Sequence, residues 1–253
     1  QLMVMKKIRI VVLCLFVTFA SFSQEKKSTW KYAQITFIKT APGGEYAKFL
    51  EEKSAVIFQE RANNGYIFGW DVWQFPYTNP ESPYDMVIVT LHTSLDSIII
   101  DKGVNWKSMA NYSDQDIKNL RENLSQSRKI VSRAIITPKH SWSKNEDASD
   151  YATFSYVKVK NGSQAEYESM VTKMAANGIA NTKVEAVVLN KRIDVVGEDI
   201  GWDYLNVWFY DKWSDVLEER VATPAPPENA MKLMSLRELK KGEVMRRIYS
   251  IRK

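Results

Sequence analysis

Hydrophobic and polar positions alternate from Lys31 to Lys39 around aromatic and β-branched residues, the signature of a strand. Ala41-Pro42-Gly43-Gly44 breaks that pattern. A helical period then runs from Glu45 to about Ala62, with Tyr46, Phe49, Leu50, Val56 and Ile57 on its apolar side. Asn63-Asn64-Gly65 stops this helix. Residues 66–75 are aromatic-rich and strand-like, residues 76–83 form a turn, and residues 85–92 read as a second strong strand.

The same order returns later in the chain. Residues 152–159 predict a strand, and Asn161-Gly162-Ser163 turns it. Glu166-Tyr167 repeats the Glu45-Tyr46 pair at a helix start, and Asn177-Gly178 echoes Asn64-Gly65. Residues 183–193 are strand-like. The stretch from Gly201 to Tyr210 then parallels Pro83 to His92 position for position. Each unit closes with a helical tail, residues 115–134 and 229–240. Each tail ends in an Arg-bearing segment of extended potential, Arg128 to Arg133 and Gly242 to Arg247. These parallels predict an internal duplication, each unit of a size that suits a small domain.

Strand, helix, strand, strand, helix is the order in which helices cover one face of a mainly antiparallel sheet. A duplicated chain can bury the other face with its second copy. The layout over residues 31–220 resembles the ferredoxin-like dimeric α+β barrel superfamily, fused in tandem. The resemblance implies an α+β fold: two ferredoxin-like repeats whose antiparallel sheets pack together as a pseudo-dimeric α+β barrel. That superfamily includes antibiotic-biosynthesis-type and haem-degrading monooxygenases, small isomerases, decarboxylating enzymes and stress-responsive proteins. The likeness rests on layout and carries no diagnostic catalytic motif, so it identifies no functional family within the group.

The N-terminus reads as something apart from this core. Met5 to Arg9 is a short basic region, and an apolar run follows from Ile10 to Ala20 and ends in Ser21-Phe22-Ser23-Gln24. This is the pattern of a secretory signal peptide, with cleavage expected after Phe22 or Ser23. Gln1 to Val4 are expected to precede the natural start at Met5. The run is short for a membrane span. The leader resembles those of Gram-negative bacteria, which implies a periplasmic or secreted protein. The expected division is 1–23 signal peptide, 24–145 first repeat with its tail, and 146–253 second repeat with its tail.

Composition changes meaning once the leader is set aside. The 253 residues carry 35 Lys plus Arg against 30 Asp plus Glu, a formal charge of +5. Loss of residues 1–23 removes Lys6, Lys7 and Arg9 and no acid, so the charge falls to +2. A nucleic-acid partner then has little electrostatic support. The one cysteine, Cys14, leaves with the leader, and Leu13 before it does not suit lipid attachment. Two histidines in the whole chain argue against a zinc site built from several such ligands. No Gly-rich phosphate loop, Gly-x-Ser-x-Gly elbow or His-Glu-x-x-His motif occurs.

The last strand of each unit holds the most informative side chains. Val87, Val89 and Leu91, matched by Leu205, Val207 and Phe209, form a uniformly apolar face expected to pack on helices. The opposite face carries Met86, Ile88, Thr90 and His92 in one copy and Tyr204, Asn206, Trp208 and Tyr210 in the other. That mixture suits a ligand cavity inside the barrel. It equally suits a core in which Tyr and Trp find hydrogen-bond partners. Trp70 and Trp73, on opposite faces of the 66–75 strand, are further wall candidates.

His92 has the intrinsic basicity of a general base and is the one histidine near the expected barrel. Against that stands a strand-end histidine with no partner motif. His140 is expected in a surface linker. Asp85 and Asp203 match each other and suit either paired acid/base work or anchoring of the preceding turn. Glu45 and Glu166 suit helix N-termini, and Tyr46 and Tyr167 suit core anchors. Trp106 and Trp142 suit covers of a cavity mouth or satellite cores.

The expected function is therefore a secreted or periplasmic protein that binds a small aromatic or apolar molecule in an aromatic-lined barrel. The resemblance implies a second reading, a cofactor-independent or haem-linked enzyme of monooxygenase or isomerase type. A structural or interaction module without an active site is the third. No metal is expected, and haem is the one cofactor that the resemblance admits. No membrane contact is expected after leader removal. The assembly is expected to be a monomer with an internal pseudo-twofold, or a homodimer.

Overall fold

Buried and exposed positions alternate along β1 (Tyr32–Thr40), as its sequence predicts, until both Phe37 and Ile38 are buried. That break marks a strand covered on both faces. The computed structural model describes residues 29–43, 45–77, 81–99, 112–144, 149–195, 201–221 and 228–253. The leader with Cys14, Trp106 and the 145/146 boundary lie outside the described residues, as does the Glu45 side chain.

A helical run follows β1: α1 (Glu45–Phe49), a π turn (Leu50–Ser54) and α2 (Ala55–Asn63). The extra residue of a π turn rotates everything after it. Ile57 is consequently buried, and Val56, expected on the apolar side, is 56% exposed. Gly65, at φ +75°, lets the chain leave the helix in a conformation that side chains with a Cβ disfavour. The hairpin strands β2 (Gly69–Gln74) and β3 (Met86–His92) come next. The short α3 (Asp96–Ile99) follows, then α4 (Asp114–Ser127). Ser113 opens α4 with a capping box shared with Asp116.

Helix α4 ends at Ser127, seven residues before the expected end of the first tail, and Arg128 starts the long strand β4 (Arg128–Ser143). His140 lies within that strand, opposite Leu189 across a bulge at Pro138, and stacks on Trp142 at 5.5 Å. It is part of the sheet and not of a linker.

The second repeat runs β5 (Tyr151–Val159), α5 (Gln164–Asn181), β6 (Ala186–Arg192) and β7 (Tyr204–Tyr210). It finishes with α6 (Trp213–Val221), α7 (Glu228–Ser235) and β8 (Arg237–Arg252). The second tail, like the first, turns from helix to strand before its expected end.

All eight strands join in one closed antiparallel barrel, in the order β1-β3-β2-β8-β5-β7-β6-β4. The long strands do the joining. β4 pairs with β1 over residues 128–136, then with β6 over residues 136–143. β8 pairs with β5 over residues 237–246, then with β2 over residues 246–252. Each repeat thus lends the end of its last strand to the other, which leaves no free sheet edge. The fold is α+β, two ferredoxin-like repeats closed into one barrel with helices outside.

Both surfaces of the sheet are buried, and this inverts one expectation. Val87, Leu91, Leu205 and Val207 belong to the cluster inside the barrel, with Val89 and Phe209 packed against it. Met86 and Ile88 face outward under α1 and α2, in a cluster with Tyr46, Leu50 and Trp70. Tyr204 packs under α5 with Tyr167, and Tyr210 packs with Ala175 and Ile179. The apolar face points into the barrel and the mixed face toward the helices. An antiparallel barrel of this size fills its lumen with aliphatic and aromatic side chains, so the greasier face belongs inside.

Candidate functional site

The matched aspartates hold the frame of the site. Asp85 accepts from the Thr40 backbone N–H at 3.0 Å and from the Thr40 hydroxyl at 2.9 Å. Asp203 accepts from the Val159 backbone N–H at 2.9 Å. Each carboxylate ties the end of the first strand of its repeat to the start of the hairpin's return strand. They belong to different repeats and anchor backbone, which is the second of the two roles their sequence context suits.

The two repeats fill the layer between sheet and helices differently. In the second, Tyr204 donates to Glu168 at 2.7 Å and Tyr210 to Glu219 at 3.0 Å. Asn206 donates to the Tyr167 hydroxyl at 2.7 Å. Burial first, then the neighbouring carboxylates, push both Tyr204 and Tyr210 well above ordinary phenol values, so they stay neutral. Burial also raises Tyr167, to about 12. Trp208 lies close under Gly178, where a Cβ would stand 3.0 Å from its ring. Helix α5 approaches there because no side chain intervenes.

The first repeat has Met86, Ile88, Thr90 and His92 where the second has these four larger or better-bonded residues. The smaller side chains leave a pocket of about 400 Å³ between the sheet and α1, α2, α3 and α4. Leu50 and Ser54 of the π turn and Phe58 and Arg61 of α2 form its helical wall. Its floor is Trp70, Ile88, Thr90 and His92. Thr90 lies opposite Trp70 on one side and Gln34 on the other, so β1, β3 and β2 all contribute.

His92 is 2% exposed and lines this pocket. The Ser97 hydroxyl donates to the Ser94 carbonyl at 2.7 Å, which uses its single proton. At 2.9 Å from His92 Nδ1 it must therefore accept, so the imidazole carries its proton on Nδ1. His92 Nε2 is left as a buried lone pair with no hydrogen-bond partner. Burial, reinforced by the nearby Arg61 guanidinium, lowers the His92 pKa to about 4 and keeps the ring neutral. Trp70 Nε1, on a fully buried side chain of the same floor, likewise has no partner. One acceptor and one donor thus stand ready beside each other's strands.

Charge in the pocket has one sign. Arg61, Arg128 and Arg133 line it, and among the described lining residues there is no Asp or Glu. Arg128 accepts no proton but donates to the Tyr46 hydroxyl at 2.7 Å and lies over the Tyr46 ring at 5.1 Å. Arg61 lies over Phe58 at 5.2 Å, and Phe58 stacks on Trp70 with ring centres 4.6 Å apart. A flat aromatic wall under fixed cations suits a planar anionic molecule.

Of the sequence candidates, Trp70, Thr90 and His92 come together here. Tyr204, Asn206, Trp208 and Tyr210 lie under the helices of the other repeat, outside the barrel lumen where the ligand wall was expected. Trp73 alone of the ligand candidates points into the lumen, against Phe154 at 5.4 Å and Phe209 at 5.9 Å. Trp142 is buried in a satellite core with Ala175 and Val187. The three arginines are not among the site residues that the sequence suggested. Arg128 and Arg133 are five positions apart, which strand alternation alone would place on opposite faces; the bulge in β4 between Ile130 and Ser132 brings both to the pocket face, opposite Thr40 and Thr36.

No protein-family model matches the chain, and no curated protein matches it in sequence. Solved structures do resemble its fold. A protein described as anthrone oxidase-like superposes with TM-score 0.59 at 11% identity, over 90% of this chain and 95% of the other. A provisionally named monooxygenase from Lactobacillus acidophilus NCFM gives 0.55 at 9% identity, over 89% and 97%. A mutant chlorite dismutase from Candidatus Nitrospira defluvii gives 0.50 at 8% identity, over 88% and 93%. The protein is a duplicated ferredoxin-like, dimeric-type α+β barrel of the architecture shared by monooxygenase-like and chlorite dismutase-like proteins. At these identities the likeness establishes fold and leaves activity to the pocket.

Haem, the cofactor that the resemblance to the barrel superfamily admits, sets a donor test for this pocket. His92 Nε2 offers the one buried nitrogen lone pair that suits an iron, and the three arginines suit carboxylate side chains of a porphyrin. In donor chemistry the pocket fits such a group. Among the described residues no group of three or more His, Cys, Asp or Glu stands ready to hold a bare metal ion.

Proposed function

We propose that the protein is a small-molecule enzyme of the cofactor-independent monooxygenase or isomerase type, acting on a planar anionic aromatic substrate in the first-repeat pocket. The observation that carries this reading is the buried, neutral His92, its Nδ1–H held by Ser97 and its Nε2 bare in a pocket lined by cations. The substrate would lie along Phe58 and Trp70 with its anionic group toward Arg128 and Arg133. An acidic phenol or enol O–H of the substrate would transfer its proton to His92 Nε2. The resulting oxyanion would be stabilised by Arg61 and by the free Trp70 Nε1–H. The anion also supplies the counter-charge that the newly formed imidazolium needs. The fold likeness to an anthrone oxidase-like protein supports this reaction class. The secretory pattern of residues 5–24 supports a periplasmic or secreted location for this activity.

Titration of the mature chain with 1-hydroxy-2-naphthoate tests the reading. Binding is expected, and Arg128→Gln should weaken it by about tenfold, as loss of a charged hydrogen bond does. His92→Gln should retain binding and lose turnover, read as oxygen uptake or spectral change without added cofactor. Absence of binding, or turnover unchanged in His92→Gln, would sink it.

A haem-linked reading has one specific observation behind it, the same free Nε2. Bound haem would supply redox chemistry at iron, while Arg61, Arg128 and Arg133 would hold its carboxylates. A haem titration that gives a Soret band in the wild type, lost in His92→Ala, would favour it. A chain that takes up no haem would remove it.

A further inference from the structure

The barrel lumen holds a second cavity, of about 180 Å³, separate from the pocket above. Its walls are mostly apolar, among them Ile35, Val89, Leu91, Phe154, Val207 and Phe209. One end of the lumen is filled by Phe37, Tyr84 and Tyr156, whose rings pack at 4.8 Å and 5.9 Å around Phe37. Glu243 accepts from Tyr84 at 2.5 Å in the same plug and pairs with Lys241.

Asn190 sets the chemistry of the cavity. It lies on β6 opposite Leu205, lines the cavity and is 2% exposed. Its Nδ2 donates to the Leu205 carbonyl at 3.2 Å and the Val188 carbonyl at 3.4 Å, which fixes the orientation of the amide. Asn190 Oδ1 is then buried without a hydrogen-bond partner. A buried acceptor left unmet costs about 1–3 kcal/mol, so a donor arriving there recovers that cost. In the first repeat the same place in the hairpin, opposite Val87, is taken by Trp73, whose ring fills that space.

Charges near the cavity are already satisfied within the protein. Asp71 accepts from Arg252 at 2.9 Å through both oxygens and from the Ser250 hydroxyl at 2.8 Å. Arg247 pairs with Asp150 at 3.6 Å and covers the Trp73 ring. A charged ligand would have to break these pairs. A neutral one leaves them intact.

We propose that the lumen is a distinct binding site for a small neutral aromatic molecule bearing one hydrogen-bond donor, of the phenol or indole class. The size agrees: an apolar cavity of roughly 150 Å³ accepts a benzene ring. The ring lies among the aliphatic and aromatic walls, and its O–H or N–H donates to Asn190 Oδ1. This site does not depend on the reaction assigned to the first-repeat pocket.

Phenol and toluene, equal in shape and unequal in donors, are the probes. With methyl-labelled full-length mature protein, phenol should shift the resonances of Val89, Leu91, Leu205 and Val207 and leave Leu50 and Ile57 unmoved. Phenol should bind about tenfold more tightly than toluene, the value of one net hydrogen bond. Asn190→Leu should reverse the preference, toluene then binding more tightly than phenol, because the phenol O–H would be buried without an acceptor. Shifts confined to Leu50 and Ile57, equal affinities in the wild type, or no binding of either probe would each overturn the proposal. Should Asn190→Leu fail to fold, Ala33→Leu serves as a filler of the same lumen and should abolish the phenol shifts. Phenol binding to that variant with unchanged affinity would count against the site as well.

Discussion

At the scale of single residues, His92 shows how much a local hydrogen bond decides. The chain has two histidines, and the sequence singled out this one by its place near the end of a strong strand. What it does depends on Ser97, whose own proton is committed to Ser94. Such a relay cannot be read from spacing, since a strand end followed by a short helix can place position i+5 in many ways. The depressed pKa has a measurable consequence. In the unfolded chain His92 titrates near its ordinary value of 6.5, and in the folded protein near about 4. Between those values the unfolded state binds a proton that the folded state does not, so stability falls as pH drops through that window. The loss should approach roughly 3 kcal/mol below the folded value. Urea unfolding near neutral pH and again near about pH 4 should show this loss in the wild type, reduced by that amount in His92→Gln. An identical pH dependence in the two proteins would contradict a buried neutral imidazole. Asp85 and Asp203 were legible in a different way: their repetition was visible, and the backbone amides they hold explain it without catalysis.

At the scale of elements, duplication has produced two versions of one layer. Helices sit on the outer face of both hairpins, yet only the version with Thr90 and His92 leaves room for the pocket described above. The version with Trp208 and Tyr210 is filled, and Gly178 lets α5 come down onto the indole. Thr90→Trp should therefore import the filled state into the first repeat. The indole enters existing space, so unfolding free energy should change by less than about 1.5 kcal/mol. Affinity for 1-hydroxy-2-naphthoate should nevertheless fall below detection by calorimetry. Retained affinity would show that the ligand lies elsewhere. The helix spanning α1 and α2 was legible in extent but not in phase. A π turn leaves the hydrophobic period nearly intact while shifting it by one residue, which is why Val56 was assigned to the wrong side and Ile57 to the right one.

At the scale of the whole molecule, the repeats are not separate bodies. β4 and β8 each pair within their own repeat and then across to the other, so neither repeat closes its sheet alone. Urea unfolding should accordingly be a single transition, coincident by tryptophan fluorescence and far-ultraviolet circular dichroism. Two resolved transitions would mean that the repeats fold independently. The sequence by itself determined the order of elements, the duplication and the α+β class, because periods of two and of 3.6 residues and their turn residues are local properties. It also determined that β3 and β7 each have one apolar and one mixed face. Which face turned inward was decided only by closure of the barrel. When helices cover one side and a second sheet covers the other, both faces leave water, and burial no longer distinguishes inside from outside. The same closure decided that Arg128 and Arg133 of one long strand would reach the pocket of His92. It also decided that Asn190, unremarkable in the sequence, would stand with an unmet acceptor in the lumen.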